Sequence, residues 1–300
     1  MAESEKTLHL VGVGVTHSIA PAMHNFIAES LGLPWKFYST ECPTLNDALA
    51  LARDPSTAGL VVTMPYKTTV MPELDELDDL AISIGACNNV YYRSGNPRRL
   101  CGTNTDWIGI KGCLSEKSNG DDNDPSALVV GAGGASRAAV YALVSSFNCT
   151  VIYILNRDDD EVSALISDSK KLPVVPSIVH VKTLDQAHEL QTPTYIVGTV
   201  PDFEPHTATE KLVVSILECF LKRQEKGVLL DMCFKPRRTR MIKLAESLDW
   251  HTVEGTHVIG YQIEEQWRLW AGQDRVAKLD RQGAWKVLLK SADESAAINF

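Results

Sequence analysis

No cysteine of this sequence stands in a CxxC pair. The seven that are present (Cys42, Cys87, Cys101, Cys113, Cys149, Cys219 and Cys233) are scattered and odd in number. That excludes a disulfide frame and a zinc site and reads as reduced thiols. No apolar run is long enough to cross a bilayer. Positive charge is not in excess: 29 Lys and Arg face 38 Asp and Glu, a net charge of −9. Neither nucleic acid nor an anionic membrane is therefore expected as a partner, although a local basic pocket is still allowed. GxSxG, HExxH and P-loop patterns are missing, so hydrolase, zincin and kinase chemistry have no support. The stretch Met1-Ala-Glu-Ser-Glu-Lys6 is acidic and polar. It is not a secretory signal by composition, and the expected compartment is the cytoplasm.

What is present is a globular balance, 44% hydrophobic and 22% charged over 300 residues, enough for one large domain or two ordinary ones. Short apolar runs alternate with helix-periodic stretches. Strands are expected at 8–14, 35–38, 58–63, 127–131, 151–155, 178–181, 195–197 and 228–231, and a hairpin at 88–92 and 100–102 with its turn at Ser94-Gly-Asn-Pro97. Helices are expected at 21–31, 45–52, 70–81, 135–147, 160–167, 212–223, 238–247, 258–270 and 280–291. This alternation predicts an α/β fold built from βαβ units with mostly parallel sheets. The polar stretch Ser118–Pro125 breaks the composition and reads as a surface loop.

Two groups of residues carry candidate chemistry. The first is polar and sits at strand ends and tight turns: Ser18, Thr63, Lys67, Asn88, Asn104 and Asp106. Strand C-termini in open α/β sheets form ligand crevices. This mix of hydroxyl, amide, ammonium and carboxylate suits a small polyhydroxy acid. A Lys held near an Asp can move a proton to or from a substrate hydroxyl. Against that, Asp106 also reads as a helix cap before Trp107, and Lys67 as an ordinary surface lysine. His17 and His24 read as structural, and His251 and His257 have no patterned partner.

The second group is Gly131-Ala-Gly-Gly-Ala-Ser-Arg137, where a strand turns into a helix. Gly131, Gly133 and Gly134 let the backbone approach a pyrophosphate, with Ala132 and Ala135 between and after them and Ser136 in place of the third glycine. The next strand ends at Asn156-Arg157-Asp158-Asp159-Asp160. An acid there suits the ribose 2′-hydroxyl, and Arg157 suits a 2′-phosphate. The three acids favour NAD and leave NADP open. One or more of them also reads as a cap of the following helix.

Taken in order, His17-Ser-x-x-Pro21, Val62-Thr-x-Pro-x-Lys67, Ile84-Gly-Ala-x-Asn88, Gly102-x-Asn-Thr-Asp106, the glycine-rich turn with Asn156-Arg157, and Gly255 with Gln262 and Leu269-Trp-x-Gly272 resemble the shikimate/quinate dehydrogenase family. The resemblance covers nearly the whole chain and is closer to the fungal quinate-pathway members. It implies two α/β domains with the cleft between them: a substrate-binding and catalytic domain of residues 1–106 plus 255–300, and a Rossmann-type dinucleotide-binding domain of residues 107–254. It implies Lys67 and Asp106 as the catalytic pair. Ser18, Thr63, Asn88, Gln262 and the position of Phe234 would face substrate, and Met232 and Gly255 would flank the nicotinamide. The implied reaction moves a hydride between a ring carbon of quinate or shikimate and NAD, or NADP, without metal. Monomer and homodimer both fit.

Ala20, Val61 and Phe234 replace a serine, an asparagine and a tyrosine of the family pattern, which points to altered specificity. A shikimate-preferring NADP enzyme and a non-catalytic metabolite sensor are the alternative readings.

Overall fold

The computed structural model describes residues 4–93, 98–118 and 124–300. The turn expected at 94–97 and most of the polar stretch 118–125 lie outside the described residues. The chain divides into two compact units, Met1–Thr105 with Ile259–Ile298, and Asp106–Val258 with Asn299–Phe300.

The first unit is built on a six-stranded sheet. Its strands are β1 (Lys6–Gly12), β2 (Trp35–Glu41), β3 (Thr57–Val62), β4 (Glu76–Leu77), β5 (Asn89–Arg93) and β6 (Arg99–Thr103), in the spatial order β2-β1-β3-β5-β6-β4. The ladders β1–β2, β1–β3 and β4–β6 are parallel, whereas β5 runs antiparallel to both β3 and β6. Helices Ala20–Ser30 and Leu45–Arg53 make the βαβ crossovers. Thr44 and Asp47 start the second of these with a capping box, which satisfies two otherwise orphaned amides.

The helix expected at 70–81 does not form. That stretch is a 3-10 turn (Met71–Glu73), the short strand β4 and a helix confined to Asp79–Ile84. The sheet edge competes for its backbone: Asp75 N donates to Leu100 O and Asp78 N to Gly102 O. The Asp78 side chain then caps the short helix by accepting from Ala81 N, and Pro72 further disfavours an unbroken helix. The C-terminal pattern is likewise divided, into Thr256–Tyr261, Ile263–Ala271, Gln273–Val276 and Arg281–Glu294.

An aromatic cluster packs on one face of this sheet. His24 stacks on Phe37 with ring centroids 4.2 Å apart, and Trp267 Nε1 donates to His24 Nδ1 at 3.1 Å. Trp270 donates to Val90 O and covers Gly59, where the indole occupies the space a Cβ would take. Burial lowers the His24 pKa to about 3, so the ring is neutral and accepts the indole proton.

The second unit is a fully parallel sheet of β7 (Ser126–Val130), β8 (Val151–Leu155), β9 (Ser177–His180), β10 (Tyr195–Gly198), β11 (Val228–Asp231) and β12 (His251–Glu254). Its order, β12-β11-β10-β7-β8-β9, is the doubly wound arrangement of dinucleotide-binding folds, with the switch point between β7 and β10. The central strands are buried and largely apolar, as parallel strands covered on both faces require. β12 and the helix Leu184–Glu189 were not expected from sequence. Both are short, and neither shows a clear period.

The neutral His24 makes stability pH-dependent. Its folded pKa lies below its unfolded value, so its contribution is present above about pH 6.5 and is lost progressively as pH falls toward 3. The loss is about 1.4 kcal/mol per unit. Replacing His24 by Phe removes the acceptor of Trp267, at a cost of about 1–3 kcal/mol. In urea titrations the deficit of the variant at pH 8 should shrink by about 2 kcal/mol at pH 5. An unchanged deficit would mean that His24 takes up a proton in the folded state.

Candidate functional site

In the first unit the strand ends and loops carry the predicted polar residues except Asp106, which begins the second unit. Gly12 closes β1 where Thr63 crosses it. A Cβ at Gly12 would sit 2.5 Å from Thr63 Cγ2 and 2.7 Å from Met64 O. Thr63 N donates to Val11 O, and Val13 N donates to Met64 O. The loop after β1 is held by Glu41, whose carboxylate accepts from Gly14 N at 2.5 Å and Val15 N at 3.0 Å. Gly14 takes the left-handed conformation this requires, with φ of 71°. Ser18 leads into the helix Ala20–Ser30 and accepts from Ala20 N. Lys67 is half-buried, and its carbonyl accepts from Cys87 N at 2.7 Å. That bond ties the lysine loop to the turn leading into Asn88.

Asn88 and Gln262, 174 residues apart, meet directly: Asn88 Nδ2 donates to Gln262 Oε1 at 2.9 Å. Asn88 Oδ1 accepts from Thr105 N at 2.6 Å, and the Thr105 hydroxyl donates to Gln262 Oε1 at 2.6 Å. Gln266, one helical turn on, reaches both Thr105 Oγ1 and Gln262 Oε1. All four side chains are buried, so an unmade bond among them carries the full desolvation penalty. Asn88 and Gln262 are the members expected from sequence. Thr105 and Gln266 are not, although Thr105 stands inside the motif before Asp106, and Gln266 repeats Gln262 at helical spacing. Asn104 Nδ2 donates to Ala86 O, so the segment before Asp106 is fixed by both its neighbours. Asp106 is buried and opens the helix Asp106–Ser115. Val61, one of the departures from the family pattern, pairs across the sheet with Asn89, and Ala20 is buried at the first helical position.

In the second unit the glycine-rich turn follows β7. Gly131 has φ of 116°, and a Cβ there would collide with Thr199 Oγ1, so only glycine fits. Ser136 Oγ bonds Thr199 Oγ1 at 2.7 Å, and Thr199 donates to Val130 O at 2.8 Å. These bonds lock the turn across the switch point. At Gly133 a Cβ would meet nothing within 4 Å. The protein itself does not demand glycine there, and a bare backbone at this turn is what close approach of a pyrophosphate would need. Gly133 is the N-cap of the helix Gly134–Phe147, with no side-chain capping bond, which leaves its first turn for an anion. Ala132 and Ala135 complete the turn, and Arg137 braces it by donating to Ala132 O and pairing with Asp168 at 3.0 Å. The residues present therefore fit a dinucleotide.

After β8, Asn156 Nδ2 donates to Glu161 Oε2 at 2.8 Å, and Arg157 pairs with Glu210. Asp158 caps the next helix, its Oδ1 accepting from Asp160 N and Glu161 N. Met232 and Gly255 adjoin: a Cβ at Gly255 would collide with the Met232 carbonyl. Met232 N donates to Gly198 O, so this segment hangs on the end of β10. Phe234 is half-buried two residues further on. Just before Met232, Asp231 is buried and accepts from Thr239 Oγ1 at 2.7 Å and Cys233 N at 3.1 Å. Among the described residues no group of three or more His, Cys, Asp or Glu is placed to hold a metal ion. No helix of the described residues is long and apolar enough to cross a membrane.

Burial pushes the Asp231 pKa up to about 6, against its two hydrogen bonds and with help from the charge of Asp202. Its folded pKa lies above its unfolded one, so it favours the folded state below about pH 4. That contribution is lost as pH rises through about 6, roughly 3 kcal/mol in all. The stability of Asp231→Asn relative to the unsubstituted protein should therefore rise by about that amount between about pH 4 and pH 7. Denaturant titration across that range measures it, and a flat difference would place the carboxyl pKa near its ordinary value.

Known proteins share this sequence pattern and fold. A family model described as the shikimate dehydrogenase substrate binding domain matches residues 10–90. The quinate dehydrogenase of Emericella nidulans is 34% identical over 292 residues, covering 90% of this chain and 89% of its own length. The dehydroquinate dehydratase and shikimate dehydrogenase AroM of S. pombe is 30% identical with a TM-score of 0.72 over 95% of this chain. This chain spans about half of that one, 53%. The shikimate 5-dehydrogenase AroE of Thermus thermophilus, solved with NADP(H) and shikimate, is 26% identical with a TM-score of 0.72, covering 95% of this chain and 99% of that one. With a third of its residues shared over nine-tenths of the chain, and with the two α/β units of these enzymes, the protein belongs to the shikimate/quinate dehydrogenase family of oxidoreductases.

Proposed function

We propose that this chain is a quinate dehydrogenase, with shikimate as a second substrate, that passes a hydride from a ring carbon to a nicotinamide cofactor and prefers NAD. The observation that carries the reading is the joint presence of the Asn88–Thr105–Gln262 network, which ends one residue before Asp106, and of the open glycine turn at Gly133. The likeness to the Emericella quinate dehydrogenase supports the substrate class.

Within this reading a bound nicotinamide would supply the hydride chemistry. Gly131, Ala132, Gly133, Gly134 and Ala135 would hold its pyrophosphate by backbone amides and the positive end of the helix dipole. Asn156, Arg157 and Asp158 would hold the adenosine ribose, and Met232 and Gly255 would border the nicotinamide. Lys67 and Asp106 exchange the proton of the reacting hydroxyl, one as donor and the other as acceptor according to direction. Ser18 and Thr63 present hydroxyls to the substrate, and Asn88 and Gln262 present amides already fixed by their own bonds. Fixed donors need no reorganisation when charge develops on the oxygen. Phe234 offers an apolar ring where the family pattern has a phenol. The substrate-binding and catalytic role falls to residues 1–106 with 255–300, and the dinucleotide-binding role to residues 107–254. A cytoplasmic protein acting as monomer or homodimer is in keeping with this role.

A panel of quinate, shikimate and related cyclohexane acids against NAD and NADP tests the proposal. Reduction of NAD with quinate is expected, and Lys67→Ala should lower kcat by a factor on the order of 100 or more with little change in melting temperature. Higher kcat/KM for shikimate with NADP would move the assignment to the shikimate enzyme. Ligand binding without turnover would make the chain a sensor.

A further inference from the structure

The end of β8 is where the adenosine ribose lies under the reading above, on which this inference rests. Two long cationic side chains stand there, and each is matched by a carboxylate. Lys182 pairs with Asp159 at 2.7 Å, and Arg157 pairs with Glu210. The two acids are held differently. Asp159 is largely exposed, 68% for its side chain, and its pairing with Lys182 competes with water. Glu210 is anchored from behind. Its Oε2 accepts from both His206 N and Thr207 N at 3.0 Å, and Thr207 Oγ1 accepts from Glu210 N in return. This is a capping box at the head of the helix Ala208–Leu221, and it leaves Oε1 for the guanidinium. The amide bonds from Thr207 and His206 lower the Glu210 pKa to about 2, so the group is anionic at neutral pH.

We propose that Glu210 is a specificity-determining residue for the cofactor: it holds Arg157 and sets a fixed negative charge beside the position a 2′-phosphate would need. An unmatched Arg at this strand end is a bidentate phosphate ligand. Matched by an anchored carboxylate, the same Arg offers the phosphate less, and the carboxylate repels it. A ribose 2′-hydroxyl, being neutral, is not penalised. Exposed ion pairs add little to stability, so stability alone does not account for the anchored pair. In the sequence, Arg157 and the run Asp158 to Asp160 are rival signals. Glu210, 53 residues beyond Arg157, decides between them.

Glu210→Gln is the discriminating variant, because glutamine also serves at this position of a capping box and keeps the helix start while removing the charge. Two readouts are compared in the unsubstituted protein and the variant: binding of adenosine 2′,5′-bisphosphate against adenosine 5′-monophosphate by calorimetry, and the ratio of kcat/KM for NADP over NAD. Both ratios should shift toward the 2′-phosphate by about tenfold or more in Glu210→Gln. Arg157→Ala combined with Glu210→Gln should abolish most of that gain. Binding of both nucleotides with an unchanged ratio overturns the role of Glu210 and leaves the dinucleotide reading intact. Failure of the unsubstituted protein to bind either nucleotide, or NAD itself, overturns the dinucleotide reading and this inference with it.

Discussion

The buried bond between Asn88 and Gln262 is the contact on which the first unit depends. It joins the start of β5 to a helix near the other end of the chain. Through Thr105 it also fixes the backbone immediately before Asp106. A polar network of this kind is specific because its alternatives are costly: every member removed leaves a partner without a bond in a place water does not reach. Gln266 of that network shares the helix Ile263–Ala271 with Trp267 and Trp270, which pack around His24. One helix thus carries a polar row and an apolar row, and both are satisfied only in a single register.

The second unit is organised by backbone constraints. Gly131 must be glycine because Thr199 occupies the space a side chain would take, whereas Gly133 is glycine with open space around it. The contrast separates a glycine the fold requires from one it leaves open, within three residues. Thr199 enforces the glycine at 131, which it crowds, and bonds Ser136 and Val130. Further along the sheet, Met232 and Gly255 come together for the same reason as Gly12 and Thr63 in the first: backbone approaches closer than a Cβ permits.

Much of this was legible in the sequence. Short apolar runs between helix-periodic stretches pointed to βαβ units, and the core strands of the second unit fell close to their expected positions, because buried strands have little freedom in composition. The stretch 70–81 departed for a definite reason: its acidic, helix-like pattern is satisfied by pairing with β6, which no local window reveals. The expected helix 258–270 departed as well, dividing at Gln262 into Thr256–Tyr261 and Ile263–Ala271, whereas Gly272, with φ of 91°, falls between the two expected helices. At the site, residues within short motifs (Thr63, Lys67, Asn88, Gly131) could be nominated from spacing. Thr105, Gln266, Asp231 and Glu210 could not, since their significance lies in partners that spacing does not reveal.

The first unit is discontinuous, made from residues up to Thr105 and Ile259–Ile298. Its folding during synthesis is constrained by that fact. When the sheet β1 to β6 has left the ribosome, Asn88 and Thr105 have their backbone partners but lack Gln262 and Gln266, and Phe37 and His24 lack their tryptophans. The second unit, nearly continuous in sequence, completes its own sheet first. The chain therefore carries an unfinished half until its C-terminal segment emerges, and that segment closes the apolar face and the polar network together.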